Sequence, residues 1–188
     1  MAADESVPPG WDRNPSARRH RLPLVALALV GAAVAAYLAA FQFGLVHAVW
    51  DPLFGAGSRR VLTSPVADTF PVPDASLGAA GYLLDAVSGL VGGPARWRDR
   101  PWLVVGFGTV VTGMAAVSVG LVLVQAVVVE AWCTLCLASA AISLTLVGPA
   151  TGEVLATLQH LRRARDRGAS VASALWGVGL RAGEGSAS

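Results

Sequence analysis

Cys133 and Cys136 are the only cysteines in the chain, and they stand three positions apart in Trp-Cys-Thr-Leu-Cys. On a helix, side chains at this spacing share a face with Cβ atoms about 5–6 Å apart, so a small local adjustment joins them as a reversible disulfide. Redox exchange is the chemistry such a pair serves. A structural disulfide, or two inert buried thiols, is the plainer reading. Zinc usually takes four N or S ligands, and His20, His47 and His160 do not accompany the pair in sequence, so no metal is expected.

The elements that must position this pair are strongly apolar. Of 188 residues, 54% are hydrophobic and 14% charged, with a mean hydropathy of +0.59. Too few charges remain to cover a soluble globule, and a net charge of +2 on so hydrophobic a chain excludes disorder. The class left is an all-α integral membrane protein. Runs at 22–44, 75–93, 102–129 and 131–150 each approach or exceed the roughly 20 residues that cross a hydrocarbon core. The first run is too long for the apolar part of a signal peptide. The second is rich in Gly and Ala and carries Asp85, and such small residues favour close packing inside a bundle. Glu130 alone separates the third run from the fourth, which requires a tight hairpin. A four-transmembrane-helix bundle follows.

Every basic residue is Arg, and twelve of the 14 lie before the first run, between the second and third, or after the fourth. By the positive-inside rule both termini are cytoplasmic in a multi-pass cell-membrane protein, and only Arg59 and Arg60 stand outside. Because the Arg flank apolar runs, the partner they imply is membrane lipid and not nucleic acid. Residues 1–21 read as a disordered head. Gly148-Pro149 should break the last span, leaving 151–167 as a basic amphipathic helix on the cytoplasmic lipid surface and 168–188 as a flexible tail. The outer loop 45–74 carries Trp50, Phe54 and Phe70 among four Pro, which suits either a compact outer-face capping loop or simple interfacial anchoring.

This topology places the cysteines at the outer start of the fourth helix, where free amides and the helix dipole favour a thiolate. Cys133 should meet water or the cap, and Cys136, about 4.5 Å deeper by helical rise, the apolar interior. One thiol could then exchange with an aqueous partner and the other with a lipid-soluble redox molecule. Asp85 either relays protons or sits near the cytoplasmic side beside Arg96 or water. Gln42 and Gln125 are placed for interhelical hydrogen bonds. Glu130 caps a helix start, and Trp132 anchors at the interface or stacks on a bound ring.

AWCTLCLASA at 131–140, opening a last span after a near-contiguous third, resembles the membrane domain of the vitamin K epoxide reductase family. WDPLFGAGS at 50–58, RRVLTS at 59–64 and PVPDASLG at 71–78 are similar to its segment between helices one and two. The likeness covers about residues 22–165. It implies a four-helix bundle enclosing a quinone (ubiquinone or menaquinone) near the outer surface, with the CxxC pair as redox centre. It further implies that Cys136 attacks or reduces the quinone, that Cys133 exchanges with a shuttle, and that Ser64 matches a serine near the quinone. Ser64 and Ser139 are hydroxyls able to bond a quinone carbonyl, or else packing and capping residues. Catalytic relatives carry a loop cysteine pair fed by a thioredoxin-like thiol protein, whereas this chain has Trp50 and Ser58 there. Either an external thiol protein reaches Cys133 directly, or a separate subunit supplies the pair, or the fold persists without activity. The expectation is a quinone-dependent thiol-disulfide oxidoreductase. The alternatives are an inactive membrane scaffold or partner subunit, and a small proton-coupled carrier built around Asp85.

Overall fold

The computed structural model describes residues 7–67 and 71–177, so Phe70, Arg181 and the end of the expected tail lie outside the described residues. Seven α-helices follow one another: α1 (Arg18–Gln42), α2 (Gly57–Leu62), α3 (Asp74–Leu90), α4 (Arg96–Asp99), α5 (Pro101–Val124), α6 (Thr134–Asp166) and α7 (Val171–Leu175). The end of α5 widens into a π-helical turn, Gln125–Val129, and no strand occurs among the described residues. Three helices are long and apolar enough to cross a membrane: α1, α5 with its π turn, and α6. α3 has 17 residues and is shorter than these.

α1 packs chiefly on α3 and α5 chiefly on α6, and the two pairs meet along α1–α6 and α3–α5. Their shared core is built from small residues around a few large ones. Ala28, Ala32 and Ala35 of α1 meet Tyr82 and Ala86 of α3, Phe107 and Val111 of α5, and Leu146 and Ala150 of α6. Alanine and glycine let backbones approach, which is how helices pack where hydrocarbon removes any hydrophobic advantage to association. At Gly31 the approach leaves no room for a side chain: a Cβ there would lie 2.8 Å from the ring of Tyr82. The outward faces carry Leu29, Val30, Leu83, Leu84, Val87, Val117 and Leu123, all exposed, as a lipid-facing surface requires.

The ends of the chain depart from the expected pattern. α6 runs unbroken through Pro149 for 33 residues, about 50 Å at 1.5 Å per residue. Proline removes one backbone donor, but Leu146 and Ala150 on either side of it are held in the core, and that packing outweighs the local cost. The expected surface helix over 151–167 is therefore the end of α6. Its face of Glu153, Ala156, Thr157, Leu161 and Ala164 is buried against the protein's own chain and not against lipid. Residues 7–17 are not a detached head. Asn14 and Ser16 are buried, Asn14 Nδ2 donates to Pro94 O at 2.9 Å, and Trp11 Nε1 donates to Gln159 at 2.8 Å. Past α6, Val171–Leu175 forms α7 and Trp176 lies 5.9 Å from Trp102, so this part of the tail is also docked.

These segments converge on one buried ion pair. Arg96 Nε donates to Glu153 Oε1 at 2.6 Å and Arg96 Nη2 donates to Glu153 Oε2, making a two-pronged contact. Ser16 Oγ donates to the same carboxylate. Arg96 also caps the carbonyls of Ser88 and Val91 at the end of α3, and Arg21 donates to Val91 O at 3.1 Å and Gly92 O at 2.8 Å. One guanidinium thus ties the α3–α4 connection to α6. Removing one partner strands the other charge in the interior, at a cost of about 3–5 kcal/mol. Glu153→Ala should lower the thermal unfolding midpoint in detergent sharply, while Arg96→Met/Glu153→Met should recover most of the loss. An unchanged midpoint in Glu153→Ala would contradict the tie.

Candidate functional site

The hairpin between α5 and α6 shapes the site. The π turn ends at Glu130, the one non-glycine residue in the left-handed region among the described residues, with φ 51°. Ala131 N then donates to Gln125 O at 3.2 Å, and Cys133 N donates to Gln125 Oε1 at 3.1 Å. Gln125, buried, therefore holds the hairpin with both its backbone and its side chain. The wide turn is what brings it under the start of α6; such turns within α-helices are frequent at functional sites. Cys133 is the N-cap of α6, extended at φ −119°, and its sulfur accepts the amide of Cys136 at 3.1 Å. The two are joined as a disulfide with Cα atoms 5.2 Å apart.

The two sulfurs have different surroundings. Cys133 is fully buried, at 0% exposure. Cys136 lines a cavity of about 300 Å³ between α1, α3, α5, α6 and the α2 region. Its walls are mainly apolar, from Leu38, Leu62, Met114, Val117 and Leu121, and its polar residues include Ser64, Ser118 and Ser139. Asp74, at one edge, is engaged by Gln42, whose Nε2 donates to its carboxylate at 2.6 Å and ties the end of α1 to the start of α3.

Behind this wall is a cluster of hydroxyls. Tyr82 OH donates to Ser139 O at 2.6 Å and lies 2.9 Å from Ser139 Oγ and 2.7 Å from Ser143 Oγ. Ser118 Oγ donates to Ser143 Oγ at 3.2 Å. The Tyr82 ring, 1% exposed, is wedged against Gly31, so its hydroxyl cannot move far from α6.

Cys133 is covered from the segment between α1 and α3. The Asp51 carboxylate accepts the Thr134 hydroxyl, the amide of Phe54 at 3.0 Å and the amide of Ser58 at 3.0 Å. Partial burial alone would raise the Asp51 carboxyl, but these hydrogen bonds outweigh it and hold the group well below the usual carboxylate range. Phe54 lies 6.4 Å from the Trp132 ring. Gly57 meets the carbonyl of Trp132 so closely that a Cβ would collide with it, which demands glycine at that position.

With this geometry in place, the comparisons decide the family: the family model described as "Vitamin K epoxide reductase family" matches residues 22–151. The chain belongs to the vitamin K epoxide reductase family. A search of curated proteins finds no match. The family consists of membrane thiol-disulfide oxidoreductases that generally use quinone, and the CxxC pair is present here as a disulfide.

Of the residues singled out from sequence, Cys136, Ser64 and Ser139 meet at one cavity. Trp132 does not line it; the ring is 39% exposed and packs on Phe54 instead. Asp85 is also elsewhere, 4% exposed, on a separate cavity of about 30 Å³ lined by Arg21, Phe107, Arg96 and Glu153. Its oxygens accept no hydrogen bond from the described residues. Cys133, expected at water or at a cap, is fully buried, and next to it Asp51 ties the segment between α1 and α3 to Thr134, the first residue of α6. Sequence reasoning did not single out Asp51, Tyr82, Ser118 or Ser143. Tyr82 had one usable signal, as the one aromatic residue of α3.

If Asp51 is the latch over Cys133, Asp51→Ala should speed reduction of the Cys133–Cys136 disulfide by a water-soluble phosphine roughly tenfold or more. That factor equals about 1.4 kcal/mol, at the low end for a hydrogen bond to a charged group. Because the folded carboxyl is held below its unfolded value, its contribution is full above about pH 4 and is lost only as pH falls through the lowered folded value. Protection should therefore be flat from about pH 5 to 7 in the native protein. Equal reduction rates in native protein and Asp51→Ala, followed by alkylation and mass measurement, would contradict the latch.

Proposed function

We propose that this protein is a membrane thiol:quinone oxidoreductase whose Cys133/Cys136 dithiol receives electrons from an external thioredoxin-like thiol protein and passes them to a quinone beside Cys136. One observation carries this reading: Cys136 forms part of the wall of an apolar cavity that also presents hydroxyl groups. A volume of about 300 Å³ lies at the lower end of small-molecule sites, suited to a ring whose tail leaves between helices. Leu38, Leu62, Val117 and Leu121 suit the ring and tail, and Ser64 and Ser139 suit its carbonyl oxygens. In the reaction two S–H bonds break, one S–S bond forms, and two electrons and two protons reduce ubiquinone or menaquinone to the hydroquinone. Cys136 is the residue that faces the quinone, and Cys133 the one that exchanges with the thiol partner.

In this reading α3 is the fourth crossing. Its 17 residues reach about 25 Å, slightly under the hydrocarbon thickness, and its outer face is apolar. The Arg-rich end, with both termini, faces the cytoplasm, and the segment carrying Arg59 and Arg60 caps the outer face. The missing loop cysteines mean that the external thiol must reach Cys133 itself, which requires the segment around Asp51 to lift. A second reading, a family member without turnover serving as scaffold or partner subunit, is favoured by the complete burial of Cys133. Asp85 has no part in either reading beyond the bundle's second cavity.

A single-turnover measurement separates the two. Reduced, oxygen-free protein in lipid nanodiscs, mixed with a short-chain ubiquinone or menaquinone, should yield one hydroquinone per chain with return of the disulfide. Cys136→Ser should yield none. No hydroquinone from native protein with either quinone would remove the oxidoreductase reading and leave the scaffold.

A further inference from the structure

The hydroxyl cluster behind the cavity wall has a geometry that a merely structural cluster does not need. It begins and ends on the same cavity. Ser139, on α6 one turn beyond Cys136, and Ser118, on α5, both line the cavity, and the path between them runs through two groups that do not. Its steps are Ser139 Oγ to Tyr82 OH, 2.9 Å; Tyr82 OH to Ser143 Oγ, 2.7 Å; and Ser143 Oγ to Ser118 Oγ, 3.2 Å. Each member is a hydroxyl, able to donate one proton and accept another. The Tyr82 proton has three acceptors within 2.9 Å, two serine oxygens and the Ser139 carbonyl, so it turns between them by rotation about one C–O bond. Buried at 1% exposure for Tyr82 and 2% for Ser143, the path is closed to competing water at its middle.

We propose that Ser139, Tyr82, Ser143 and Ser118 form a proton relay that carries a proton from the α6 wall of the quinone site, one turn from Cys136, to its α5 wall. The inference rests on the thiol:quinone reading. Reduction of a quinone places a proton on each of two oxygens at opposite ends of the ring, while both protons originate on the one pair of thiols. The oxygen nearer Cys136 receives its proton locally. The hydroxyls of Ser118 and Ser143 turn so that Ser143 donates to Ser118, reversing their resting hydrogen bond, and the relay hands the second proton from Ser139 through Tyr82 and Ser143 to Ser118, and so to the other oxygen. Dithiol plus quinone gives disulfide plus hydroquinone, with no proton drawn from outside. Tyr82 acts through its serine partners as a positioning residue and touches neither the sulfur nor the quinone.

The test uses full-length protein in nanodiscs with a short-chain quinone and two variants. Tyr82→Phe keeps the ring against Gly31 and removes the hydroxyl, and Ser143→Ala interrupts the path away from the cavity wall. The readouts are quinone affinity of the oxidised protein, infrared difference spectra on quinone binding, and single-turnover rate in H2O and D2O. Both variants should bind quinone within about twofold of native protein. Both should reduce it at least about tenfold more slowly, the lower edge of what a lost proton-transfer group costs, with an altered solvent isotope effect. A quinone-induced shift of a tyrosine C–O band should be present in native protein and absent in Tyr82→Phe. Native turnover with unchanged rates and isotope effects in both variants, or a quinone-bound native spectrum without the tyrosine band, would overturn the relay while leaving the oxidoreductase intact. A native protein that reduces neither ubiquinone nor menaquinone would instead remove the reading on which the relay depends.

Discussion

A polar group surrounded by hydrocarbon has no water to turn to, so each one must find a partner within the chain or cost several kcal/mol. In this protein that constraint sorts most of the buried polar residues into three levels, with Asp85 apart from them and without a hydrogen-bond partner among the described residues. At the Arg-rich end Arg96 and Glu153 satisfy one another and gather α3, α6 and the N-terminal segment around them. At the opposite end Gln42 joins α1 to α3, and Gln125 and Asp51 fix the start of α6. Between them the hydroxyls of Tyr82, Ser139, Ser143 and Ser118 satisfy one another. The small-residue core makes the four-helix packing close, but these polar ties determine the angular setting of α6, and hence which way Cys136 faces.

The disulfide is asymmetric for the same reason. The Cys133 amide is held by Gln125 and its sulfur caps the helix, so this residue is locked into the hairpin and covered by the segment anchored at Asp51. Cys136, within the first turn, is turned toward the cavity. Under the proposed function, a pair arranged this way would meet two partners from two directions: a bulky thiol donor only when the segment around Asp51 moves, and an apolar acceptor without such movement. The proposed chemistry therefore couples access to Cys133 to a local opening held by hydrogen bonds to one carboxylate. Trp50 and Ser58 lend no sulfur to that opening, so in the proposed chemistry the segment would act as a gate, where a loop cysteine pair would make it a carrier.

Much of the architecture was legible in the sequence. Uncharged runs, the Glu130 hairpin and the CxxC spacing are local patterns, and they pointed to a helical membrane protein with Cys136 facing an apolar space; the family was suggested by the resemblance of residues 50–78 and 131–140. Ser64 near the quinone was implied by the resemblance, whereas Ser139 was read only as a hydroxyl able to bond a quinone carbonyl or as a packing residue. What the sequence hid depends on contacts between distant residues. Pro149 is a helix breaker by local rule, yet the packing of Leu146 and Ala150 carries α6 through it. Glu153 looked like one charge on a surface helix because its partner Arg96 lies 57 positions away. Asp51 and Tyr82 each belong to patterns formed only after folding, with partners at Thr134 and at Ser139 and Ser143.

The central claim is that the cavity bounded by Cys136, Ser64 and Ser139 is where quinone binds. Photolabelling with a short-chain azidoquinone in nanodiscs, followed by peptide mass mapping, tests it most directly. The account predicts labelling concentrated on residues 61–67, 114–125 and 136–140, and displaced by excess unlabelled quinone. Labelling spread along the outward faces of α1 and α3 and insensitive to that competition would contradict it.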